Sequence, residues 1–223
     1  MSGILNMLLS RSGGAALSAP VYLGASEAPT ISGSNFTVTG ASIGSGYTHI
    51  AVGSYGAFSP GRTWVGCTVD GDPHSTIVTA PSAQGVAGIA IVPHPGVSTA
   101  DIVMDASGTG GLRGGLIWWG LNITSSTPLA SATDNVATTN AVDTGSQAVS
   151  GPLVWVAITG VNSVTSLTVT WSQGTEDRDV TYSGGRTISG ASALDANGLS
   201  SETISATYSG ATTLPSLAWV ALS

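Results

Sequence analysis

The chain has 223 residues, of which 42% are hydrophobic, 8% charged and 31 glycine, and its net charge is -7. That length can bury a sizeable core without staples, and the single cysteine, Cys67, excludes an internal disulfide framework. No lysine is present and the five arginines, Arg11, Arg62, Arg113, Arg178 and Arg186, stand singly, which excludes a phosphate-tracking surface and repels a polyanion.

Residues 1–27 read as an N-terminal arm distinct from the rest of the chain. Ile4, Leu5, Leu8 and Leu9 fall on one stripe of a helix of about two turns, too short to stand alone in water. With Met7 they are expected to dock the arm on a neighbouring subunit or particle, the alternative being a cap on the chain's own sandwich. Arg11 follows this apolar run instead of preceding it, so no export signal is expected. No run approaches the roughly 20 apolar residues of a membrane-spanning helix.

From residue 28 the chain reads as an all-β antiparallel sandwich. Only Glu27, Glu176 and Glu202 represent glutamate, so long helices are disfavoured, and short apolar or alternating runs are separated by Gly, Pro, Asp and Asn turns. The runs predict strands over 35–39, 48–53, 63–69, 75–79, 86–92, 100–105 and 116–121. A polar stretch, 124–148, then reads as a long surface connection, with one short strand near 144–149. Strands resume over 153–159, 166–172, 179–183, 187–191, 203–208 and 217–222. One continuous sandwich over 28–223 is favoured, because the segment after the polar stretch is shorter than the roughly 100 residues of a separate sandwich. The alternative is two sub-sandwiches divided near 124–148.

Three of these strands are apolar on both faces: Leu116–Leu121, Leu153–Ile158 and Leu217–Leu222. Successive strand residues point oppositely, so Trp118 and Trp119 cannot share one core. A subunit interface at Trp118 and Trp119 is expected to supply the second cover, the alternatives being the N-terminal segment, a long loop or a solitary exposed tryptophan. In 86–92, Ile89 and Ile91 form a large face, and the small face of Gly88 and Ala90 is read as the exposed one.

Catalytic signatures are absent. A P-loop needs the missing lysine; Gly108–Gly115 has Arg113 where a dinucleotide loop needs its third glycine and reads as a tight turn. His49, His74 and His94 lack metal spacing and are read as structural, and Cys67 as a core residue. Asp70-Gly71-Asp72 is hairpin chemistry, and it and the Glu176, Asp177, Asp179 group are the nearest approach to a calcium or glycosidase site. No catalytic, metal or cofactor residues are assigned.

The order of strands, with a Trp/Val/Thr strand ending in Asp-Gly, a strand ending in Leu-Ile-Trp-Trp-Gly-Leu-Asn122 and a close in Leu217-Ala-Trp-Val-Ala-Leu222, resembles the jelly-roll-like β-sandwich accessory proteins of tailed-phage virions and phage-like particles. The opening Met1-Ser-Gly-Ile-Leu-Asn-Met-Leu-Leu9 is similar to the N-termini of some phage structural proteins. The resemblance covers about residues 35–223. It implies a non-enzymatic virion protein (head decoration, head fibre or tail appendage) with other virion proteins as partners and trimers or other rings as a common assembly. The second expectation is a carbohydrate-binding module for adhesion, in which one or two of Trp64, Trp118, Trp119, Trp155, Trp171 and Trp219 stack on a glycan.

Overall fold

A computed structural model describes residues 17–81, 83–108, 111–136, 140–162, 166–182, 185–210 and 212–223. The described chain is antiparallel β-structure without a helix. Its first part supplies β1 (Val21–Ser32), β2 (Asn35–Ser42), β3 (His49–Arg62), β4 (Trp64–Val69), β5 (Asp72–Pro73), β6 (Thr76–Thr79), β7 (Ala83–Pro93), β8 (Thr99–Ala106) and β9 (Gly111–Leu121). These form an inner sheet, β1-β9-β3-β7-β6, and an outer sheet, β2-β8-β4-β5. β1 begins at Val21, inside the segment expected to be an arm. Ile4, Leu5, Met7, Leu8 and Leu9 lie outside the described residues.

The second part supplies β10 (Ala130–Asn135), β11 (Ala141–Ser150), β12 (Leu153–Asn162), β13 (Val169–Trp171), β14 (Thr175–Tyr182), β15 (Arg186–Asp195), β16 (Gly198–Tyr208) and β17 (Thr213–Leu222). They form a second inner sheet, β10-β17-β12-β15-β14, and a second outer sheet, β11-β16-β13. The four sheets make two stacked sandwiches, divided between β9 and β10. Strand for strand, this set repeats the first: β10, β11, β12 and β13 take the places of β1, β2, β3 and β4, and β14, β15, β16 and β17 those of β6, β7, β8 and β9. Only β5 has no counterpart. The polar stretch read as a connection is largely strand. β10 pairs with β17 from Ala130↔Ala221 to Asn135↔Ser216, and β11 with β16. Both are edge strands, where backbone pairing suffices and little apolar face is required.

Three cores separate four layers. The first lies between the outer and inner sheets of the first sandwich and holds Phe36, Trp64, Met104 and Trp118. The second lies between the two inner sheets, with Tyr55, Ile89, Ile117 and Trp119 against Val156, Ile158, Ile188 and Val220. The third, with Trp155, Ile204 and Trp219, fills the second sandwich. The doubly apolar strands β9, β12 and β17 thus face two cores each, as alternation requires. The second sandwich manages with fewer than the roughly 100 residues of an independent one because the first covers one face of its inner sheet.

This corrects the interface expected at Trp118 and Trp119. Both are buried within the one chain, with 5% and 0% of their surface exposed. The small face of β7 is covered too: a methyl group on Gly88 would lie 2.6 Å from Cδ1 of Trp64.

The inner sheets stack with β3 on β12, β7 on β17 and β9 on β15, while β1 meets β14 and β6 meets β10. Equivalent strands β3 and β12 therefore face each other, as in a dimer whose two-fold axis runs along the strands. The register makes the relation specific. Trp118 pairs with Val52 and Trp219 with Ala157, so aligning these tryptophans aligns Gly53 with Ile158 and Tyr55 with Gly160. Across the interface, Ile158 packs on Gly53 and Tyr55 on Gly160. Each pair sets a large side chain in one half against none in the other.

Candidate functional site

The side chains expected to carry chemistry are dispersed. Asp70 and Gly71, with φ of 54° and 86°, turn the chain between β4 and β5, the left-handed pair that a two-residue hairpin demands. Asp70 and Asp72 are exposed there. Glu176, Asp177 and Asp179 lie on the edge strand β14. Glu176 is exposed. Asp179 Oδ2 accepts the Val169 N–H at 2.8 Å, and Asp177 Oδ2 accepts the Trp119 indole N–H at 2.8 Å. Burial raises the Asp177 carboxyl above the ordinary carboxylate range, partly offset by hydrogen bonds from Ser192 and Trp119. Among the described residues no three His, Cys, Asp or Glu side chains converge on a metal-sized site.

Cys67 belongs to the first core, where burial, and secondarily Asp105, push its thiol up to about 12. That suppresses the thiolate a nucleophile needs. The glycine-rich stretch around Gly108 joins β8 to β9, and β9 starts at Gly111, so no helix follows it.

All three histidines are found at one end of the first sandwich, the end at which β3 and β12 begin. Three connections meet there: 43–48 between β2 and β3, 70–75 around β5, and 94–98 between β7 and β8. Backbone hydrogen bonds tie the first to the third, with Ile43 N and Gly44 N donating to Ser98 O at 3.0 and 3.2 Å and His94 N to Thr48 O at 2.9 Å. The Thr48 hydroxyl accepts the Ile123 N–H at 3.0 Å, anchoring the cluster to the end of β9. His74 Nδ1 accepts the Cys67 N–H at 3.2 Å, and His94 Nδ1 accepts the Gly96 N–H at 3.0 Å.

Tyr47 lies on top of this cluster. A methyl group on Gly120 would be 2.6 Å from Cδ1, Cδ2 and Cε2 of Tyr47 alike. The ring therefore rests face-down on the glycine. Its centroid is 6.4 Å from that of His94, with the planes tilted by 49°. Gly120 fixes the ring because nothing larger fits beneath it, the same close approach that a strand glycine elsewhere signals. Comparison with protein-family models, curated proteins and solved structures finds no match. The geometry of this end of the molecule is therefore the guide to what it does.

The same geometry narrows the expected glycan platform. Trp64, Trp118, Trp119, Trp155 and Trp219 are buried in cores, and only Trp171 is partly exposed, its indole N–H donating to Ser189 Oγ at 2.8 Å. Tyr47 is inconspicuous in the sequence, because a lone tyrosine between Gly46 and Thr48 carries no periodic signal. His49 and His94, read separately as structural, are brought together only by the pairing of β3 with β7, His49 opposite Pro93.

Proposed function

We propose that the chain is a non-enzymatic structural protein of a virion, attached to the outside of a phage capsid or tail as a decoration, fibre or appendage component. The observation that carries this reading is the way the N-terminal segment joins the stacked sheets. Leu17 packs on the core between the inner sheets, Asn122 Nδ2 donates to Ser18 Oγ at 3.3 Å, and Pro20 is buried. In this reading Ile4, Leu5, Met7, Leu8 and Leu9, which precede Leu17 in the chain, supply the anchor. Four stacked layers give the rigid, projecting body that such a component needs. The net charge of -7 favours a place away from packaged nucleic acid.

Strand order supports the jelly-roll reading. In the first sandwich β1 pairs with β9, β2 with β8, β3 with β7 and β4 with β5, the pairing of one long hairpin folded at Asp70-Gly71. Rolling that hairpin brings β3 beside β9 and β4 beside β8, an arrangement consistent with jelly-roll winding.

Co-sedimentation with purified particles tests the proposal. The full chain is expected to band with particles in a density gradient, and a chain starting at Leu17 to lose at least about 90% of that signal while its melting temperature is unchanged, as expected for an anchor that contributes no core. Retention of the truncated chain would remove the anchor, and absence of the full chain from particles would overturn the virion reading.

A further inference from the structure

The internal repeat identifies the part of the molecule that is not scaffold. Strands, sheet orders and registers match between the two halves, so whatever one half has and the other lacks is not needed to close a sandwich. Three connections are longer in the first sandwich and lie together at one end, whereas the β1–β2 and β3–β4 connections are shorter than their β10–β11 and β12–β13 counterparts. Residues 43–48 correspond to 151–152, residues 94–98 to 196–197, and 70–75, with β5, to 172–174. In each case the longer connection belongs to the first sandwich; 43–48 and 94–98 are hydrogen-bonded to each other and carry Tyr47 and His94 beside His49 of β3, and 70–75 carries His74 at the same end.

From this we infer that the unmatched loops of the first sandwich form a carbohydrate-binding site, with the Tyr47 ring as the platform on which a neutral pyranose stacks. Stacking on a sugar needs a flat aromatic face held in place beside polar groups. Tyr47 is held flat by Gly120, and His94 stands at an angle to it, forming a corner. Tyr47 itself is half-buried, with Gly44 against its ring edge, and the exposed Ser45, Gly46 and Gly96 belong to the same two loops. The large exposed apolar side chain of these loops is Val97, which is too little for the apolar centre of a protein interface. The carboxylates at this end, Asp70, Asp72 and Asp101, are unaccompanied by arginine in the three loops, so an anionic sugar is disfavoured and a neutral one fits. The site shares its end of the molecule with Ser18, which bonds Asn122, so its test uses the isolated chain and its outcome is separate from that of the virion reading.

Saturation-transfer NMR on the full chain with glucose, galactose, mannose and N-acetylglucosamine, as free sugars and short oligomers, provides the test. At least one is expected to receive saturation at its ring protons. Tyr47→Ala should weaken that binding by about tenfold or more and Tyr47→Phe by less than about twofold, because the ring and not the hydroxyl makes the contact. Trp171→Ala should leave it unchanged. A further variant, with 94–98 replaced by the two-residue connection of the second sandwich, Ala196-Asn197, should keep its melting temperature and lose the sugar. Absence of transfer to every sugar in the panel, or transfer undiminished in Tyr47→Ala, would overturn the assignment.

Discussion

Gly160→Ala is expected to destabilise the chain by about 3 kcal/mol, the upper range for overpacking a closed core. The added methyl group would lie 2.2 Å from Cγ and 2.5 Å from Cδ2 of Tyr55. Tyr55 has no room to retreat, being fully buried, and its hydroxyl donates to Leu214 O of the second sandwich at 3.0 Å. The side chain thus works as a bolt from β3 into the other half. Tyr55→Ala should by itself cost about 3–5 kcal/mol through the cavity it leaves. Once that ring is gone the methyl group at position 160 has space, so the double variant should fall short of the sum of the single effects by about 2 kcal/mol. Denaturant unfolding of the four proteins measures this coupling. Strict additivity would mean that Tyr55 and Gly160 do not interlock.

Trp119→Ala should be comparably damaging, at about 3–5 kcal/mol, and for two separable reasons. The indole fills the core between the inner sheets, where Gly190 makes room for it: a methyl group there would lie 2.6 Å from its Cζ2. Its N–H also donates to Asp177, which keeps its Ser192 partner, so Trp119→Phe isolates the polar part, and one hydrogen bond to a charged group contributes about 1.5–3 kcal/mol. Protonation of Asp177 then becomes visible. Because burial raises its pKa in the folded state, folding favours the protonated form. The stability this group contributes is fully present below the carboxyl's unfolded value, about 3.9, and is lost as pH rises through the raised folded value. Relative to Asp177→Asn, the wild-type chain should therefore gain stability as the pH is lowered from 7 toward 4. A difference that moves the other way would show that the hydrogen bonds from Trp119 and Ser192 outweigh burial.

Much of this fold is written in alternation. Leu167, Val169 and Trp171 against Thr168, Thr170 and Ser172 mark a strand with one wet face, and Val169 is buried while Thr168 and Thr170 are exposed. Strands apolar on both faces, such as Leu153–Ile158, signal that two covers exist. They do not say whether the second cover is another subunit or another part of the chain, so the sequence leaves open what covers Trp118 and Trp119, which the fold places in two cores of the same chain. Edge strands are less legible. β10, Ala-Ser-Ala-Thr-Asp-Asn, is polar because its role is to complete the backbone pairing of β17, and β1 is broken up by Gly24 and Pro29.

The repeat is obscured for a related reason. The two halves share Leu116-x-Trp118 and Leu217-x-Trp219, but their facing surfaces have diverged in opposite directions, Gly53 against Ile158 and Tyr55 against Gly160. A self-complementary interface sets each axial residue against itself, and a tandem copy is free to set large against small. Complementarity therefore erases the similarity by which the repeat would be recognised. The Tyr47 cluster is hidden for the opposite reason, since its residues come from loops with no period and only the comparison of one half with the other marks them as additional.

Two sandwiches are locked into one body by the core between their inner sheets, and differential scanning calorimetry of the full chain tests this most directly. A body locked in this way should melt in a single transition whose calorimetric and van't Hoff enthalpies agree, and Gly160→Ala should lower that one transition without splitting it. Two resolved transitions in the wild-type chain, each with the enthalpy of about half the molecule, would contradict the lock and leave two sandwiches that merely touch.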